Sequence, residues 1–464
     1  MSKLTAIVLA AGQGTRMKSG LAKVLHPMCG KPMLDFAVAA ALAAGAEDAI
    51  VIVGHQRDAV TAHLARTFGD RVRTVVQDEQ RGTGHAVQCA LPALEAGTHA
   101  VLILCGDTPL LRAEDLRSLA DARATGDVEL AMLTCRVADP TGYGRILRKE
   151  GRIIGVREQR DATAAERAID EINPGVFAGR VDFLRRALAA LEPNNDQGEL
   201  YLTDIVTAAA AVAEVVGVPA PAETLVGVND RSQLAAVEEV MYARIADRWR
   251  REGVTIRSGV KLDASVVLER DATLEHGVVL RGDTHVGSGA HVEVGCVLED
   301  VRIGAGAKLL PYSVCSRSSV GADARVGPFS HVRPGSDIGP EAHVGNFVET
   351  KKTILHRGAK ANHLAYLGDG EIGEGANIGA GTIFCNYDGF QKHKTIIGPR
   401  AFIGSDSQLV APVTIGEGAY VGTGTTVTKD VPADALALSR TAQQNKDGYA
   451  ARLRGRLAAK SNGA

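Results

Sequence analysis

The chain has 464 residues, enough for two or three domains that each bury a core. A formal charge of −2 argues against nucleic-acid binding along the whole molecule, though not against local basic patches. Seven cysteines with no C-x-x-C pair argue against a disulfide framework or a zinc site and fit reduced thiols. The opening MSKLTAIVLAAG lacks a signal-peptide layout, because Gly12, Gln13, Thr15 and Arg16 cut its apolar run short. No apolar stretch approaches the ~20 residues of a membrane span. The expectation is a cytoplasmic protein that engages neither membrane nor nucleic acid.

Up to about residue 228, strand-like apolar runs at 6–12, 49–55, 71–77 and 100–107 alternate with helical composition, as at 33–45. This rhythm predicts βαβ units around a mostly parallel, Rossmann-like sheet. Such sheets bind ligands beyond the carboxyl ends of their strands. Gly12 and Asp107 each stand just past a strand, where they can face one crevice. Residues 229–253 predict one long helix with Asp230 at its cap. Leu234, Val237, Met241, Ile245 and Trp249 give it an apolar stripe.

A period of six follows. Ile256, Leu262, Leu268, Leu274, Leu280, Val286, Val292 and Leu298 stand six apart. The phase slips and returns at Val320, Val326, Val332, Ile338 and Val344, then again from Ile397 through Ile403, Leu409, Ile415 and Val421 to Val427. This is the hexapeptide repeat of a parallel β-helix, in which one aliphatic per six fills a narrow core. Two segments rich in His, Lys and Asn, 345–365 and 385–395, break the period and are expected to be loops that carry function. Periodicity alone fixes neither handedness nor oligomeric state.

The glycine-rich turn GQGTRM, followed by Lys23, offers bare backbone and positive charge to a polyphosphate, yet is no Walker A loop because no G-K-[ST] follows. With LAAGQGTRM (9–17), QRGTGHAV (80–87), TGYGRI (141–146), EINPGVF (171–177), GELYLTDI (198–205), VETKK (348–352), NIGAGTI (377–383) and CNYDG (385–389) in this order, the chain resembles a bacterial family. That family joins an N-acetylglucosamine-1-phosphate uridylyltransferase to a glucosamine-1-phosphate acetyltransferase. The resemblance runs from about residue 5 to about residue 452. It implies a nucleotidyltransferase domain at 1–228, a linker helix at 229–253, a left-handed β-helix acetyltransferase at 254–437 and a basic tail at 438–464. It also implies a homotrimer formed through the β-helix.

For uridylyl transfer the resemblance implies that Leu9, Ala10, Ala11, Gly12, Gln77, Gly82 and Thr83 hold the nucleotide. Arg16 and Lys23 would neutralise the reacting phosphates, Asp107 and Asn229 would ligate Mg²⁺, and Gly144, Glu158 and Asn173 would hold the sugar. For acetyl transfer from acetyl-CoA it implies His363 as base, with Glu349 expected to orient it. Arg333 and Lys351 would meet the sugar phosphate, and Tyr366 and Asn377 the sugar. Ala380, Asn386, Tyr387, Ser405, Thr423 and Arg440 would meet acetyl-CoA. Three positions depart from the family pattern: Ala22 stands for proline, Cys105 for tyrosine and Thr423 for alanine. Two other readings compete, a single-activity enzyme whose β-helix only assembles it and a non-enzymatic scaffold. Retention of His363, Asn377 and Asn386 argues against the first, and of Arg16, Lys23, Asp107 and Asn229 against the second. The tail is expected to be a solvated, partly disordered end past about residue 455, or an arm that reaches the CoA phosphates.

Overall fold

The computed structural model describes residues 3–439 and 441–461. The chain divides into two compact units, Met1–Ile245 and Ala246–Ala464.

In the first unit, strands Lys3–Ala10, Asp48–Val53, Val72–Val76 and Thr98–Cys105 pair in parallel, with Lys3–Ala10 in the centre. Their residues alternate between two apolar clusters, Ala6 and Val8 on one face and Ile7 on the other, so the strands are buried on both sides. Phe177–Arg180 then inserts antiparallel between Thr98–Cys105 and Leu130–Arg136. Beyond it the sheet ends in the hairpin Gly144–Lys149 and Arg152–Arg157. The parallel half thus presents its loops on one side, next to the antiparallel extension.

The expected long helix spans Arg231–Arg251. Asp230 caps it, accepting the Gln233 N–H at 2.9 Å. Val237 and Ile245 of the stripe are buried, and Arg244 donates to the Leu110 carbonyl at 2.7 Å.

The second unit is a continuous parallel β-helix with three short strands per coil. Ile256 lies beside Leu274, Leu262 beside Leu280 and Leu268 beside Val286. The aliphatics of the six-residue period point inward and are almost wholly buried. Each such Leu, Ile or Val contributes roughly 1.5–3 kcal/mol relative to exposure. The slip in phase has a plain cause: some coils are a residue short, so that Val292 pairs with Leu309 and Leu309 with Val326.

One expectation fails here. Residues 345–365 are not a loop but parts of two long paired strands, His343–Leu355 and Lys360–Ile372. The helix core continues through them, with Thr350, Ala361 and Ala365 at inward positions in place of larger aliphatics. The second segment does leave the helix: Ile378 pairs with Ile403, a coil lengthened by the excursion around 385–395. At the end of the chain Tyr449–Ser461 is helical rather than disordered, and it has no buried residue, as a solvated end would. Its run of alanine, leucine and arginine has high helix propensity.

Candidate active sites

At the carboxyl ends of the parallel strands lies a cavity of about 350 Å³, lined by Leu9, Ala11, Gly12, Gln77, Gly82, Thr83 and Asp107. Gln80 and Glu199 line it as well. Ala10 is buried beneath, in the core. Gln77 is buried and donates to the Gly82 carbonyl at 3.1 Å, which ties the strand end to the loop. Thr83 Oγ1 accepts the Leu202 N–H at 3.1 Å, which pins the 199–203 segment against that loop.

The two glycines of the turn serve different ends. Nothing stands within 4 Å of a Cβ at Gly12, so its backbone faces open space. Gly14 has a left-handed φ of 62°, and a Cβ there would sit 2.5 Å from the Lys23 Cβ. Gly14 therefore makes room for Lys23, a role the sequence did not reveal.

Four charged or amide groups meet at the cavity's edge. Lys23 Nζ pairs with Asp107 and donates to Asn229 Oδ1 at 3.2 Å. Arg16 donates to the same Asn229 oxygen at 2.8 Å. The Asp107 carbonyl accepts the Val228 N–H at 2.9 Å, so the start of the long helix is held beside the strand end.

A second cavity of about 180 Å³ shares Leu9, Thr83 and Cys105 with the first and adds Gly144, Glu158, Asn173 and Thr203. Burial pushes the Glu158 carboxyl above the usual range, opposed by a hydrogen bond that it accepts from Thr203 at 3.0 Å. Asn173, also buried, accepts the Gly175 N–H at 3.0 Å.

Both departures in this unit are locally accommodated. Ala22 uses the N–H that a proline would lack, donating to Gln56 at 2.9 Å. Burial, then the charge of Asp107, pushes the Cys105 thiol up to about 12, so it carries no charge near neutrality.

On the β-helix, registers set the site. Asn346 pairs with His363. Ala361, Ile378, Ile403 and Val421 succeed one another in register, so His363, Ala380, Ser405 and Thr423, each two residues further on, form one column along a corner. Arg440 lies outside the described residues.

The expected pairing of Glu349 with His363 is not formed within the chain. Glu349 accepts from Arg333 at 2.6 Å, while His363 Nδ1 lies 2.9 Å from Asn346 Oδ1. The register explains this, since Glu349 lies beside Tyr366, three residues past His363.

One face beside the corner gathers Tyr366, Lys351, Arg333 and Asn386. A Cβ at Gly368 would meet Tyr366 Oη at 2.5 Å and Asn386 Nδ2 at 2.7 Å, so these two side chains converge there. Asn386 donates to Asp369 at 2.6 Å. The neighbouring ammonium of Lys392 pushes Lys351 below the usual lysine range, and Arg333 adds to this. Three cations around one spot suit a phosphate. Lys392 belongs to the basic segment 385–395, but only the fold, not the sequence, brings it beside Lys351. Its loop is tied by Asp388, which accepts from the Phe390 and Gln391 N–H groups at 2.8 and 2.7 Å. Tyr387, 60% exposed, donates to the Gly389 carbonyl at 2.6 Å. Asn377 is not brought to this group, because it shares a different face with Lys360 and Phe402.

Among the described residues no three or more His, Cys, Asp or Glu form a metal cluster, and no helix is long and apolar enough to cross a membrane.

Comparison with known proteins agrees with both halves. Residues 6–203 match the MobA-like NTP transferase domain, and residues 394–429 match the bacterial transferase hexapeptide of six repeats. The chain is 63% identical to Bifunctional protein GlmU of Sorangium cellulosum over 98% of its own length and 97% of that protein's. It is 47% identical to the same-named protein of Trichlorobacter lovleyi over 97% of its length and 98% of the relative's. It is 52% identical to that of an Anaeromyxobacter species over 97% of its length and 93% of the relative's. The chain therefore belongs to the bifunctional GlmU family, a nucleotidyltransferase followed by a left-handed hexapeptide β-helix acetyltransferase, and acts by uridylyl and acetyl transfer in UDP-N-acetylglucosamine synthesis.

Proposed function

We propose that the two reactions run in sequence at separate sites, acetylation on the β-helix first and uridylyl transfer in the cleft second. The observation that carries the uridylyl half of this reading is the meeting of Arg16, Lys23, Asp107 and Asn229 at the edge of the cavity, far in sequence yet within hydrogen-bond reach; the order follows because the acceptor in that step is the product of acetylation.

In acetyl transfer the neutral 2-amine of glucosamine 1-phosphate attacks the thioester carbonyl. His363 takes the amine proton, the C–S bond breaks and CoA leaves. Arg333, Lys351 and Lys392 hold the phosphate, Tyr366 the sugar, and the Ala380–Ser405–Thr423 column the CoA arm, with Asn386 and Tyr387 beside it. Glu349 acts through Arg333 rather than on the base.

In uridylyl transfer a phosphate oxygen of N-acetylglucosamine 1-phosphate attacks the α-phosphorus of UTP, and the bond to the β-phosphate breaks as pyrophosphate leaves. The reactants are both anions, so Arg16 and Lys23 must neutralise them and place them in line. Gln77, Gly82 and Thr83 hold the uridine, while Gly144, Glu158 and Asn173 hold the sugar. Asp107 and Asn229 turn oxygens toward one shared cation, the Lys23 ammonium, and such an oxygen-only pair fits Mg²⁺. Mg²⁺ bound there supplies charge neutralisation on the phosphates.

The acetyltransferase works as a homotrimer in this reading, because Asn377 and the Tyr366 group lie on different faces and a second copy can bring them to one sugar. Cysteines that form no disulfide among the described residues support the cytoplasm as its place.

The test follows CoA thiol and pyrophosphate separately, with glucosamine 1-phosphate, acetyl-CoA, UTP and Mg²⁺. Thiol without UTP, and pyrophosphate only after acetylation, is the expected result. Pyrophosphate from unacetylated substrate at the same rate overturns the order.

A further inference from the structure

We infer that Asn346 is a positioning residue for acetyl transfer, holding His363 in the tautomer whose Nε2 can accept a proton. This rests on the reading of His363 as base. Asn346 and His363 face each other in adjacent coils, and the amide oxygen lies 2.9 Å from Nδ1. An amide oxygen only accepts, and a neutral imidazole has one N–H. Nδ1 therefore holds the proton and donates it to Asn346, which leaves the Nε2 lone pair free.

The column gives the ring two different neighbours. Asn346 stands one coil before it, and Ala380 stands one coil after it at the start of the proposed CoA track. Asn346 is half-buried while His363 is exposed, so one edge of the ring is anchored and the other is open to ligand. Gly345 lets the coils close up here, since a Cβ at that position would run into the Asn362 carbonyl.

Charged groups nearby do not replace this contact. Glu349 is engaged by Arg333. On the adjoining face stand His343, Arg325 and Lys360. Burial, then the charges of Arg325, His363 and Lys360, holds His343 below the usual histidine range. A neutral amide at 346 thus orients the ring without adding a negative charge that would hold the imidazolium.

The test is the pH profile of acetyl transfer for the full chain and for N346A, N346S, N346D and H363A, with uridylyl transfer and Tm measured on the same preparations. N346A should lose roughly tenfold in kcat, part of the 10²–10⁴ that a general base supplies, with KM for both substrates little changed. N346S should recover part of that loss, because a hydroxyl can also accept. N346D should move the acid limb of kcat/KM upward by about one pH unit or more. An unmoved limb in N346D together with wild-type kcat in N346A overturns the inference, provided H363A is inactive. An active H363A instead overturns the base reading itself.

Discussion

In the amino-terminal unit much of the candidate site is walled in, with Arg16 exposed at its edge. Gln77 and Asn173 are buried, Glu158 is desolvated, and two adjoining cavities receive them. Along the β-helix the candidate base stands on an outer corner, with His363 exposed and Leu364 beside it 62% exposed. A doubly covered sheet makes a crevice at its strand ends from one chain. A β-helix is too narrow to enclose a substrate, so its candidate groups stand on its flanks. In the reading proposed above, this difference leaves the first site self-sufficient and the second dependent on assembly.

The sharpest way to break the comparison is H363A. Acetyl transfer should fall by about 10²–10⁴ while uridylyl transfer is unchanged, read from thiol and pyrophosphate release. Chelating Mg²⁺ should do the reverse, lowering uridylyl transfer by about 10²-fold or more and sparing acetyl transfer. Dilution offers a third test. Acetyl transfer per chain should fall as a trimer dissociates, tracked by sedimentation, while uridylyl transfer per chain stays constant.

The smallest expected effect concerns Glu158. Its carboxyl is raised by burial, so ionisation favours the unfolded chain and stability is lost as pH rises above the ordinary glutamate range. E158Q should raise Tm at pH 7 but not at pH 4, and should raise KM for the sugar phosphate. An equal Tm change at both pH values contradicts the burial argument.

Much of this was legible in the sequence. The period of six marked the inward positions from Ile256 onward, and Asp230 was recognisable as a cap because its side chain acts on residues next to it. The partner of His363 was not legible, for a physical reason. Contacts between coils follow the length of a coil, and Asn346 stands 17 residues before His363. That number emerges only once the shortened coils are counted. Small inward residues at Thr350, Ala361 and Ala365 hid the core between 345 and 365, so a strand pair read as a loop. In the first unit, Gly14 read as a phosphate-binding glycine because no local pattern shows that Lys23 folds back against it.

The most direct measurement compares wild type, H363A and K23A in one assay that reads CoA thiol and pyrophosphate separately, supplying N-acetylglucosamine 1-phosphate where acetylation is blocked. H363A should release pyrophosphate at the wild-type rate and almost no thiol, and K23A should release thiol at the wild-type rate and almost no pyrophosphate. Loss of both products in either folded variant would contradict two separate sites.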